Sequence, residues 1–138
     1  MAFQPYLFFS GATCREAMQH YQRVFGGELE IMINAEAPEG DRMPGAPDDA
    51  VMHASLQLPD GSLMASDDPT GDDGPKYGVA VYWGTTDVAE AERVFAGLAE
   101  GGEVHMPMEE VFWSPRFGHC RDRFGIQWMI AAEPADAG

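Results

Sequence analysis

Apolar residues recur at the three- and four-residue spacing of a helix over 17–25, as Ala17, Met18, Tyr21, Val24 and Phe25. The same spacing returns over 88–98 as Val88, Ala91, Val94, Phe95 and Leu98. Thr13 with Glu16, and Asp87 with Glu90, have the separation at which a cap side chain and a carboxylate satisfy the first free N–H groups of a helix. Gly26-Gly27 and Gly101-Gly102 supply the left-handed stops. The first helix is therefore predicted at about 14 to 26, and a second begins after Asp87.

Each helix lies between two β-rich runs: PYLFF (5–9) and ELEIMI (28–33) in the first case, VAVYW (79–83) and EVHMPM (103–108) in the second. Each half then shows a hairpin. VMHASLQL turns at Pro59-Asp60-Gly61 into SLMAS, and RFGHCRDR turns near Phe124-Gly125 into IQWMIA. The pattern predicts an α+β fold of two βαβββ modules in one domain, at about 1–68 and 77–133, with a linker at about 69–76. The caps Thr13 and Asp87 differ by 74 positions but the turn glycines Gly61 and Gly125 by only 64, so the first module carries about ten extra residues. The segment EAPEGDRMPGAPDD (36–49), rich in Pro, Gly and Asp, is the expected insertion. A second such stretch, DDPTGDDGPKYG (67–78), lacks the ligand order of a calcium loop and reads as the linker.

Four blocks together, PYLFFSG, EAMQHYQRVFGGEL, MHASLQLPDGSLMASD and DRFGIQWMI, make the chain resemble the vicinal-oxygen-chelate superfamily in its PhnB-like branch, over nearly the whole length. That resemblance implies the glyoxalase/bleomycin-resistance fold, in which paired modules form a curved mixed sheet around a concave pocket. Enzymes of the superfamily hold a divalent metal between first-strand and last-strand residues, where it acts as a Lewis acid. Transferred onto this chain, the first-strand positions are Gln4 and Ala80, and the positions four past the hairpin glycines are Ala65 and Met129. One amide among these four makes a poor divalent site, so no cofactor is expected. The branch is often labelled methyltransferase, yet no GxGxG turn of a nucleotide-type cofactor fold occurs.

Strand side chains alternate, so one sheet face covers the helix and the other faces the pocket. In VMHASLQL the apolar set Met52, Ala54, Leu56 and Leu58 is assigned to the helix, leaving His53, Ser55 and Gln57 inward. The 64-residue offset adds Phe117, His119 and Arg121. Alternation adds Gln4, Tyr6 and Phe8 from the first strand, Tyr82 from its counterpart, and Asp67 and Gln127 from the strands after the hairpins. The branch places a tryptophan where Trp113 stands, overhanging the pocket or packing at an interface; Trp83 and Trp128 have helix-side parity. Aromatic walls with a few polar groups suit a small organic ligand. His53 is the candidate general base, since an imidazole titrates near neutrality. No third group to orient either His53 or His119 is visible in the sequence. Arg121 is expected to pair with Asp122 or another surface acid, or to clamp a carboxylate.

Composition narrows the function further. Eight Lys and Arg against 23 Asp and Glu give a net charge of −15, which repels nucleic acid and anionic membranes and favours cationic small molecules. Cys14 and Cys120 have no disulfide or zinc spacing; Cys14 lies in a first helical turn, where the helix dipole lowers a thiol pKa, but has no partner His or Cys in sequence. His105, Glu109 and Glu110 match no ligand motif. No leader or spanning segment is evident, so the cytoplasm is the expected location. The first function class is a small-molecule binding or sequestering protein. The alternatives are a metal-dependent lyase, isomerase or dioxygenase, and a metal-free enzyme using His53 with Tyr6 or Tyr82 as donors. The resemblance also implies a homodimer, with Phe112 and Trp113 as exposed aromatics.

Overall fold

The computed structural model describes residues 3–68 and 77–134. The expected linker, 69–76, therefore lies outside the described residues. The chain divides into two compact units, Met1–Gly74 and Pro75–Gly138.

The first unit runs β1 (Tyr6–Phe9), α1 (Cys14–Phe25), β2 (Glu28–Ile33), β3 (Val51–Leu58) and β4 (Gly61–Asp67). Its sheet has the order β1-β4-β3-β2, with β1 parallel to β4 and the other pairs antiparallel. The second unit repeats this as β5 (Val81–Thr85), α2 (Val88–Ala99), β6 (Glu103–Val111), β7 (Ser114–Arg121) and β8 (Gln127–Ala132), in the order β5-β8-β7-β6. The duplicated βαβββ pattern is thus the fold.

In each sheet one face packs on the helix. In the first unit Leu7, Phe9, Ala54, Leu56, Leu63 and Ala65 are buried on that side, and the Phe9 ring lies 6.2 Å from Tyr21 of α1. In the second, Cys120, Trp128 and Ile130 are buried with Val94, Phe95 and Leu98 of α2. The Trp128 indole N–H donates to Asp122 at 2.8 Å, and Asp122 Oδ1 also accepts from the amides of Phe124 and Ile126, which fixes the β7–β8 turn.

The two helix starts differ. Asp87 caps α2 as its sequence predicts, accepting from Glu90 N at 3.2 Å, while the Glu90 carboxylate turns to Arg93. Thr13 does not cap α1; its hydroxyl donates to Ser10 O at 2.7 Å. The cap comes from the end of β4. Asp67 accepts from Cys14 N at 3.1 Å through Oδ1 and from Val51 N at 2.8 Å through Oδ2. Asp67 is therefore on the helix side and buried, not among the inward residues where alternation placed it. A carboxylate at this point also favours the positive end of the helix dipole.

The insertion after β2 is ordered by two side chains. Buried Asn34 donates to Met43 O and Ala46 O and accepts from Met43 N, and Arg42 donates to Ala35 O and Ala37 O. Short 3-10 turns at Asn34–Glu36 and Glu39–Asp41 complete it. Among the described residues no helix is long and apolar enough to cross a membrane.

Both cysteines are buried, and burial pushes each thiol up to about 12, with Asp67 beside Cys14 and Asp122 beside Cys120 adding to the rise. Burial outweighs the lowering expected for Cys14 at the start of α1. A raised folded pKa stabilises the fold at pH below the ordinary thiol value of 9.0, and that contribution is lost as pH climbs from there through about 12. At pH 8 Ellman's reagent should therefore leave both thiols unmodified in the folded protein and titrate two in denaturant. Rapid labelling of either in the folded state would contradict this packing.

Candidate functional site

The face turned away from the helix carries the candidate residues, and strand register fixes their neighbours. In the first unit one row reads Tyr6, Met64, Ser55, Glu30 across β1, β4, β3 and β2. The matching row in the second reads Tyr82, Met129, His119, Met106 across β5, β8, β7 and β6. His53 stands opposite Met32, Phe8 opposite Ser66, and Gln57 between Ser62 and Glu28.

Three rings gather on the first face. Tyr6 and Phe8 have centroids 5.3 Å apart, and Tyr6 and His53 5.6 Å. The Tyr6 hydroxyl and His53 Nδ1 are hydrogen-bonded at 3.2 Å, so the orienting partner that the sequence did not reveal is Tyr6. Tyr6, Phe8 and Met32 remain 39%, 45% and 46% exposed, open to a ligand. Gln57 Nε2 donates to Ser55 Oγ, and Ser62 Oγ donates to Gln4 Oε1. Glu28 and Glu30 put two exposed carboxylates along the β2 edge of this face.

On the second face Trp113, in the turn between β6 and β7, packs edge-on against Phe117 at 4.8 Å, and Phe117 is buried. His119 Nε2 is paired with Gln127 Oε1 at 3.1 Å. Arg121 binds Glu103 rather than Asp122, donates to the Tyr77 hydroxyl, and lies over the Tyr77 ring. The guanidinium accordingly holds the exposed Glu103 carboxyl below its usual range. Tyr82 is half-exposed beside Met129, and burial, then the Glu133 charge, raises its phenol pKa.

Register corrects one of the transferred metal positions. Ala65 pairs with Leu7 and Ala54 on the helix side, so the first-unit partner of Met129 is Met64. The positions are then Gln4, Met64, Ala80 and Met129: one amide, two thioethers and a methyl. Gln4 Oε1 is already an acceptor for Ser62. Such donors do not fit a hard divalent ion, which selects carboxylates, carbonyls and water. Among the described residues no group of three or more His, Cys, Asp or Glu side chains converges. Sequence reasoning missed Met32, Met64 and Met106 as face residues; alternation with buried Leu63 and Ala65 was an available signal for Met64, whereas β2 and β6 bury no residue next to Met32 or Met106.

Comparison with known proteins places this arrangement. The family described as 3-demethylubiquinone-9 3-methyltransferase matches residues 1–131. Protein YjdN of Escherichia coli K12 is 33% identical over 94% of both chains. Protein PA1353 of Pseudomonas aeruginosa superposes with TM-score 0.82 at 41% identity, covering 97% of this chain and 98% of that one. A Bacillus cereus protein titled putative 3-demethylubiquinone-9 3-methyltransferase, PhnB protein, gives 0.70 at 25% identity over 94% and 97%. A glyoxalase/bleomycin resistance protein of Albidiferax ferrireducens T118, 14% identical with TM-score 0.61 over 97% and 99%, shares the fold. The chain belongs to the PhnB-like 3-demethylubiquinone-9 3-methyltransferase family and shares the fold of the glyoxalase/bleomycin resistance protein.

Proposed function

We propose that this protein binds or sequesters a small cationic organic molecule on the helix-free face of its first unit, without a divalent metal, as a homodimer in the cytoplasm. The observation that carries the reading is the Tyr6, Phe8 and His53 ring cluster, with the Glu28 and Glu30 carboxylates on β2 at the far edge of the same face. Electron-rich ring faces attract a cation by about 0.5–2 kcal/mol each, more as water is excluded. The apolar ring area adds affinity without a charge partner. The net charge of −15 raises the local concentration of such a ligand. The family's methyltransferase name does not supply a better reading. No GxGxG turn for an adenosine-type donor occurs in the sequence.

A thermal-shift screen of cationic glycopeptides and quaternary ammonium compounds tests this. We expect at least one to stabilise the protein, with Tyr6→Ser and Phe8→Ser each weakening binding about tenfold. No stabilisation by any of them, beside turnover of another substrate, would end it. The Tyr6–His53 hydrogen bond favours a second reading, a metal-free enzyme with His53 as base. Unchanged turnover in His53→Gln would remove that one. Light scattering checks the dimer.

A further inference from the structure

The β6–β7 ladder contains a bulge whose side chains serve no purpose in the fold described above. Val104 pairs with Cys120 and Met106 with His119, so His105 is the extra residue on β6. A bulge aims two consecutive side chains at one partner. The His105 and His119 ring centres are accordingly 5.0 Å apart, and Met106 is the Cα partner of His119. On the other side of His119 stands Met129. Two imidazoles and two thioether residues are thus neighbours on the helix-free face of the second unit, with His119 between Met106 and Met129. The nearby carboxylate of Glu103 is engaged by Arg121.

We propose that His105, Met106, His119 and Met129 form a binding site for a soft monovalent metal ion, cuprous copper in particular. Three features carry this. Thioether and imidazole donors without a free carboxylate select Cu(I) over Mg(II), Ca(II) or Mn(II). Two imidazoles bound side by side to one ion at about 2.1 Å hold their ring centres about 5 Å apart, which matches the spacing present. The Gln127 amide oxygen can only accept, so His119 Nε2 carries the proton and Nδ1 is left as the free donor. That is the arrangement by which ligating histidines are held in one tautomer. His105 and Met106 are exposed, so the site is accessible and their replacement leaves the core intact. The site lies outside the ring cluster of the first unit and does not depend on the organic-ligand reading.

The test is anaerobic competition for Cu(I) between the full chain and bicinchoninate, with Zn(II) and Mg(II) titrated separately. One equivalent of Cu(I) is expected to be withdrawn from the chelator. His105→Ala and His119→Ala should each weaken binding about 100-fold and Met106→Leu about tenfold, while His53→Ala changes nothing. X-ray absorption of the loaded protein should show nitrogen and sulfur neighbours together. Failure to compete would overturn the site. So would Cu(I) retained in the His105→Ala, His119→Ala double variant, because the buried thiols of Cys14 and Cys120 would then be the ligands.

Discussion

Asp67→Ala should produce the largest loss of stability of any single polar substitution in the first unit. The carboxylate is buried and holds two backbone amides, Cys14 N at the start of α1 and Val51 N at the start of β3. Removing it strands both donors away from water, at about 1–3 kcal/mol each, and deletes a helix cap worth about 1 kcal/mol. Equilibrium urea denaturation should show a loss of about 3–5 kcal/mol, and Asp67→Asn, which keeps one acceptor, should recover part of it. A loss below about 1 kcal/mol would mean that water replaces the carboxylate and that the tie between helix and hairpin is weak.

Gly27→Ala should rank next. Gly27 joins α1 to β2 with φ near 90°, a backbone conformation that costs an L side chain about 1–2 kcal/mol. A Cβ there would also stand 2.3 Å from Gln57 O and 2.8 Å from Leu58 Cδ2. The carbonyl belongs to the β2–β3 ladder and has no room to retreat, so the strand pair must shift. We expect a loss of about 2–4 kcal/mol in the same denaturation experiment. Gly26→Ala is the internal control, because its φ is also positive but nothing lies within 4 Å of the added methyl. Equal losses at both positions would show that strain alone, and not the close approach of β3, sets the cost.

The origin of Asp67's role explains where sequence reading succeeded and where it failed. Helices, strands and the duplication are legible because periodicity and local caps encode them, and Asp87 behaves as its position predicts. Thr13 has the same local grammar but loses its place to a residue 54 positions away in the chain, a choice made by packing alone. On β3 the buried Ala54 and Leu56 mark the helix side, whereas β7 shows no such alternation, since apolar Phe117 turns away from the helix and Gly118 is the residue that meets Phe95 of α2. The error enters at the hairpins. Leu58 pairs with Gly61 across a two-residue turn, whereas Asp122 N bonds to Ile126 O across three residues, so the second hairpin is one residue longer. With a side-chain period of two, one residue exchanges the faces of the following strand. That is why Gln127 lies on the helix-free face while Asp67 and Ala65 do not. The Tyr6–His53 and His105–His119 pairs were illegible for another reason: each joins strands brought together only by the folded ladder, and the second needs a bulge that leaves no compositional trace.

The irregular pairing of β6 also bears on how the protein behaves when crowded. This strand spans nine residues at the outer margin of its sheet, long enough to recruit a neighbouring polypeptide into a growing fibril. Recruitment demands an unbroken series of evenly spaced amide and carbonyl groups, and three register shifts between Val104 and Val111 interrupt that series. Glu109 and Glu110 add like-charge repulsion along the same rim. The distortion that gathers two imidazoles at one point therefore also denies a stranger's backbone a place to dock.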